Sequence, residues 1–175
     1  VPSPPYAIAP VTCVKDNGQP YAVFTPLYRA WSAHCYPPPC DAESVDVRPV
    51  TWSSERLASD SVPADPEIAC TLPPASESAA QHRWEAFLDE RVDAYAMDRN
   101  RPSEAGTSML SPYLRWGQIH PRQLLDDLAD RGDSPSAATF AKELAWREVY
   151  AGVLYHHPPR AREHPQPKMK GVWHD

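Results

Sequence analysis

Proline divides this chain before any other residue does. Fourteen of its 22 prolines fall in residues 1–75 and eight in the following hundred. A ring that fixes φ and removes a backbone donor forbids long helices and central strands wherever it recurs. Regular structure is therefore expected mainly after residue 75. Hydrophobic content of 42%, with six Trp and eight Tyr, is too apolar for a wholly disordered chain. Its 175 residues suggest one domain or slightly more. No apolar run of about 18 residues is present to span a membrane. The first thirty residues lack a basic stretch followed by an apolar core, so a secretory signal is not expected and a cytoplasmic location is. A chain beginning at Val1 rather than Met reads as an excised or truncated piece.

Charge follows the same division. The net charge of −6 argues against a globally basic nucleic-acid coat. Locally, Arg99, Arg101, Arg115 and Arg122 stand against Glu104 alone between positions 99 and 125, and Arg160, Arg162, Lys168 and Lys170 against Glu163. Such clusters either bind phosphate or are plain solvated surface. Cys13, Cys35, Cys40 and Cys70 form no paired Cys-x-x-Cys knuckles, and with no export signal they read as reduced thiols. No metal site is expected. His120, His156 and His157 offer no i, i+4 pair with a third ligand and read as structural histidines.

Along the chain, Pro20–Phe24 has strand-like content ended by Pro26, and Pro26–Trp31 suits one or two helical turns. Residues 36–75, rich in Pro, Ser, Ala and Asp, read as a linker. From residue 76 the pattern predicts a helix of about 20 residues, with Trp84, Phe87, Leu88, Val92 and Tyr95 on one face. Ser111 and Pro112 read as an N-cap and first helical position, and Gly117 as the residue past the C-cap. Pro121 opens a helix carrying Leu124, Leu125 and Leu128, closed by Gly132. Ser134 or Ser136 then caps a helix from about 136 to 156. The fold class expected is mainly α.

Two stretches carry candidate chemistry. On the last helix Phe140, Glu143, Trp146, Arg147, Tyr150 and Leu154 share one broad face at about 100° per residue. A carboxylate, a guanidinium and three aromatics suit an aromatic-walled cavity for a flat heteroaromatic ligand. Alternatively, Glu143 and Arg147 are a buried i, i+4 pair in an aromatic-rich bundle. In "GTSMLSP", Thr107, Ser108 and Ser111 precede helical turns, where they either cap or hold a phosphate.

Taken in order, "GQPYAVFTPLYRAW", "YAMDRNRP", "GTSMLSPYLRWGQIHPRQLL" and "FAKELAWREVYAGVLYHHP" resemble the DNA photolyase and cryptochrome family, over roughly residues 18–35 and 76–160. The resemblance implies the end of an antenna-type domain and its exit segment at 1–35, and a Pro/Ser-rich interdomain linker at 36–75. It implies the first part of a helical FAD-binding domain at 76–160 and a truncated basic tail at 161–175. FAD is the implied cofactor, with an antenna chromophore of unspecified identity in the preceding domain. Tyr95, Thr107, Ser108, Leu110, Ser111, Phe140, Glu143, Arg147 and Tyr150 match cofactor-facing positions. Glu143 and Trp146 match the carboxylate and indole that meet a damaged pyrimidine pair, and Arg99 matches a basic position at the DNA-facing rim. Arg122 matches a structural or phosphate contact. Met109 departs from the Arg common in the phosphate loop.

The implied activity is light-driven splitting of cyclobutane pyrimidine dimers in UV-damaged DNA, by a protein monomeric when complete. The family's later helices, which supply the rest of the flavin pocket, are not in this sequence, so the isolated chain is expected to bind FAD weakly. A cryptochrome-type photoreceptor without repair, or an inactive truncated product, are the other readings. Glu143 and Trp146 favour repair, because a photoreceptor needs no lesion-facing pair.

Overall fold

A computed structural model describes residues 5–39 and 69–162. Most of the expected linker and tail, including Cys40, Lys168 and Lys170, lie outside these residues. Six α-helices occur among them: α1 (Phe24–Ala33), α2 (Glu77–Glu90), α3 (Tyr95–Asp98), α4 (Ser111–Trp116), α5 (Pro121–Ala129) and α6 (Pro135–His156). The fold is mainly α, as the sequence leads one to expect. Short 3-10 turns at Val92–Ala94 and Pro158–Ala161 flank α3 and follow α6.

The long helix α6 is the axis of the molecule, packing against α1, α3 and α5. Ser134 caps it by accepting from the Ala137 amide at 3.3 Å, and Pro135 occupies its first position, where no intrahelical donor is needed. On α5, Leu124, Leu125 and Leu128 are all buried as their spacing demands. His120 Nδ1 caps this helix by accepting from the Arg122 amide at 3.2 Å. Gly117 ends α4 in the left-handed conformation, φ 70°.

The expected 20-residue helix is broken at Arg91, whose φ of −135° leaves the helical region. The break is stabilised from outside. Ser136 on α6 donates to the Asp93 carbonyl at 2.8 Å and accepts from the Ala96 amide at 3.2 Å. In a continuous α-helix the Asp93 carbonyl would instead accept from the Met97 amide and the Ala96 amide would donate to the Val92 carbonyl. The break turns Val92 and Tyr95 into the core, at 1% and 7% exposed. Ser136 is thus a tertiary clamp, and Ser134 alone is the cap.

Two further expectations change near the N-terminus. Pro20–Phe24 is not a strand; Val14 and Pro20 share one isolated bridge, and Phe24 opens α1. Pro26 falls in the first turn of α1, where its missing donor costs nothing. One register also moves at α4: Leu110 is the N-cap, and Ser111 and Pro112 are the first helical residues.

Candidate functional site

The cavity of interest is about 700 Å³ and lies between α6, α3 and the 107–111 loop. Its floor is aromatic. Tyr95 and Phe140 meet edge-on with centroids 5.0 Å apart, and Phe140 rests on Phe87 at 5.1 Å and Trp84 at 5.4 Å. Trp84 is wholly buried, its indole N–H donating to Asp127 at 2.6 Å. Burial is the main cause that pushes the Tyr95 hydroxyl above its usual pKa; Arg99 opposes this and Glu143 adds to it.

Part of the lining is polar. Thr107, Ser108 and Ser111 form it, with Arg115 and Arg147 alongside. This loop is tightly located. A Cβ on Gly106 would lie 2.5 Å from the Asp98 Cβ and 2.8 Å from the Asp98 carbonyl carbon, so only glycine fits against the end of α3. Arg91 donates to the Ala105 carbonyl just before it, and buried Leu110 anchors its far end. Between them Met109 adopts φ 56°, a left-handed conformation that costs a side chain about 1 kcal/mol. Met109 is largely exposed at the cavity edge.

At the rim Arg99 Nη1 donates to Glu143 Oε1 at 2.5 Å, and its guanidinium carbon stands 5.5 Å from the Tyr95 ring centroid. The Glu143 hydrogen bond is the main cause raising the Arg99 pKa. The Glu143–Arg147 pair that i, i+4 spacing permits is not made. Arg147 instead donates to the Leu114 carbonyl at 3.1 Å and the Pro5 carbonyl at 2.7 Å.

The cavity therefore brings together Tyr95, Thr107, Ser108, Leu110, Ser111, Phe140, Glu143 and Arg147. Trp146 and Tyr150 are not among its lining residues. Trp146 lies flat against Phe24, centroids 3.9 Å apart and planes 5° apart, with Tyr150 stacked at 5.9 Å. Tyr150 and Leu154 are exposed, so the broad face of α6 divides between cavity and surface. Arg122 makes a structural contact, donating through Nε to the Ala7 carbonyl at 2.9 Å.

The chain has similar counterparts among known proteins. No protein-family model matches the chain. A deoxyribodipyrimidine photo-lyase of Alkalihalophilus pseudofirmus is 33% identical over 166 residues, 87% of this chain and 33% of the relative. One from Synechococcus is 34% identical over 169 residues, 87% of this chain and 35% of the relative. A bacterial class III photolyase from Agrobacterium tumefaciens superposes on 98% of this chain and 38% of its own, with a TM-score of 0.81 and 25% identity.

The chain belongs to the photolyase/cryptochrome family. It spans about a third of the length of the photolyases it matches. The photolyase-like helices described here hold the cavity, while no helix among the described residues is long and apolar enough to cross a membrane.

One buried group of this photolyase relative escaped the sequence reading. Glu148 is 7% exposed and accepts from the Ala7 amide, the Ile8 amide at 3.3 Å and the Trp31 indole at 2.5 Å. Burial raises its pKa, against the lowering effect of those three donors and of Arg147. The available signal was its register. Glu148 lies four residues after Leu144 and three after Ala145, on the buried stripe of α6.

Proposed function

We propose that this chain is part of a DNA photolyase, in which the cavity holds FAD and serves the light-driven splitting of cyclobutane pyrimidine dimers. The carrying observation is the cavity itself, lined by the aromatic rings of Tyr95 and Phe140 together with the hydroxyls of Thr107, Ser108 and Ser111. A flat ring system suits the floor. Hydroxyls with Arg115 and Arg147 suit a pyrophosphate. The space Gly106 leaves lets the loop pack on α3 and face inward. FAD would supply the photochemical electron.

The protein's own groups would receive the lesion. An extruded pyrimidine pair needs a stacking surface and a partner for its polar edge. Trp146 would give the surface, its orientation supported by Phe24 stacked on one face. Glu143 would hold the pyrimidine edge at the cavity rim, and Arg99 beside it would meet DNA phosphate. UV-damaged DNA is thus the proposed partner. Along the chain, we propose residues 1–35 as the end of a preceding domain with its exit segment, 36–75 as an interdomain linker, 76–160 as the first part of the flavin domain, and 161–175 as a basic tail.

The test uses the protein expressed from its complete reading frame. It should purify yellow, and Glu143→Gln should keep the flavin while lowering dimer splitting per absorbed photon about tenfold or more. A colourless, folded preparation would overturn the cofactor assignment. Bound flavin with unchanged splitting in the variant would overturn the role of Glu143. Bound flavin with no splitting by the parent would favour the photoreceptor reading.

A further inference from the structure

Arg147 and Glu148 are consecutive residues of α6, yet both grip the same short segment, residues 5–8. Arg147 donates through Nη1 to the Pro5 carbonyl at 2.7 Å, and its guanidinium stands 4.8 Å over the Tyr6 ring. Glu148 accepts from the next two amides, Ala7 and Ile8. Arg122 on α5 donates to the Ala7 carbonyl. Pro5, Ala7 and Ile8 are thus held by their backbone and Tyr6 by its ring, all from α5 and α6, in a segment with no regular secondary structure of its own.

The consequence falls on the cavity. Arg147 lines it, and two carbonyls orient its guanidinium: Leu114 on α4 and Pro5 on the segment. Pro5 stays in place because Ala7 and Ile8 are fastened to Glu148. The third donor to Glu148, Trp31, fastens α1 to α6. That same helix begins with Phe24, which lies against Trp146. One buried carboxylate that touches no cavity surface therefore sets the supports of both Arg147 and Trp146.

We propose that Glu148 is a positioning residue for the cofactor cavity, acting through residues 5–8 on Arg147 and through α1 on Trp146. The inference rests on the flavin reading of the cavity. Its chemistry depends on an acceptor with no donor of its own: three N–H groups converge on Glu148, and a glutamine there would turn its NH2 toward at least one of them. Supporting groups of this kind hold a binding side chain within the fraction of an ångström that function needs.

The experiment compares the protein from its complete reading frame with Glu148→Gln, Trp31→Phe, the double variant, and Leu125→Ala. The last truncates a buried leucine of α5 that makes none of these hydrogen bonds and does not line the cofactor cavity. Glu148→Gln should raise the FAD dissociation constant about tenfold, the lower end of what losing a support of a ligand-holding side chain costs, and speed amide exchange at Ala7 and Ile8. Trp31→Phe should raise it less, and the glutamine should cost less in that background because one opposed N–H is gone. Leu125→Ala should lower the melting temperature and leave FAD affinity within about twofold, as a cavity remote from the ligand does.

Faster exchange at Ala7 and Ile8 with FAD affinity unchanged would overturn the proposal, as would an equal affinity loss in Leu125→Ala. Should Glu148→Gln fail to fold, Trp31→Phe carries the test, and an unchanged dissociation constant there is the overturning result. Should the parent bind no FAD, the flavin reading fails separately. The Arg147 side-chain NMR signal then decides: a move to the exposed-arginine position in Glu148→Gln supports positioning, and an unmoved signal overturns it.

Discussion

Glu143 and Glu148 stand five residues apart on α6, about 140° around its axis, and their surroundings share almost nothing. Glu143 sits at the cavity rim with its side chain 37% exposed and pairs with one arginine, Arg99, itself 28% exposed. Glu148 is buried on the other flank, where two backbone amides and an indole converge on it. A pair still open to water gains less than a buried one, because the solvent screens it and two side chains must be ordered. A buried carboxylate with three donors is costly to form and costlier to break, since removing it strands every donor. Glu143 is thus free to exchange partners, and Glu148 is not.

Removing each carboxylate should separate the two most widely. Glu148→Ala should cost about 3–5 kcal/mol in urea unfolding, the range for breaking a buried charged contact. A cost below about 1 kcal/mol would place it with exposed pairs like that of Glu143.

Acidity should separate them next. Burial holds the Glu148 pKa above its ordinary 4.5 in the folded protein, so the folded state keeps that proton longer than the unfolded chain does. Its contribution is fully present below about pH 4.5 and lost as pH rises through the folded-state value. Cys13 and Tyr36 feel the same carboxylate, which adds to the burial that raises each of them. Stability measured against Glu148→Gln isolates the group: the parent should compare more favourably at pH 4 than at pH 7. A difference independent of pH would remove the distinction.

The smallest effect belongs to the rim. Arg99→Gln should change unfolding free energy by less than about 1 kcal/mol. Salt near 0.5 M, where screening acts over only a few ångströms, should shrink the change further. A large, salt-insensitive loss would show that the rim pair is as structural as Glu148.

How much of this could be read beforehand depended on how local the cause was. Ser134, Pro135, Gly117 and the leucines of α5 act within a turn or two of themselves, so α5 and α6 were legible. The floor residues Tyr95 and Phe140 and the hydroxyl loop were named because their motifs are contiguous and ordered. The break at Arg91 was not legible, because its stabiliser, Ser136, lies 43 residues from the carbonyl it binds. Trp146 could be placed on the helix face that carries Glu143, but its stacking on Phe24 joins residues far apart in the chain.

The sequence by itself determined the helical half, the approximate ends of its helices and the residue types of the cavity, because periodicity, proline and glycine act through the local backbone. Tertiary structure decided which of two glutamates became the buried anchor. It also decided that the expected 20-residue helix breaks at Arg91, and how Arg147 is aimed. Each of those outcomes depends on donors brought from distant parts of the chain, and a hydrogen bond over 140 residues leaves no periodic trace in the residues that make it.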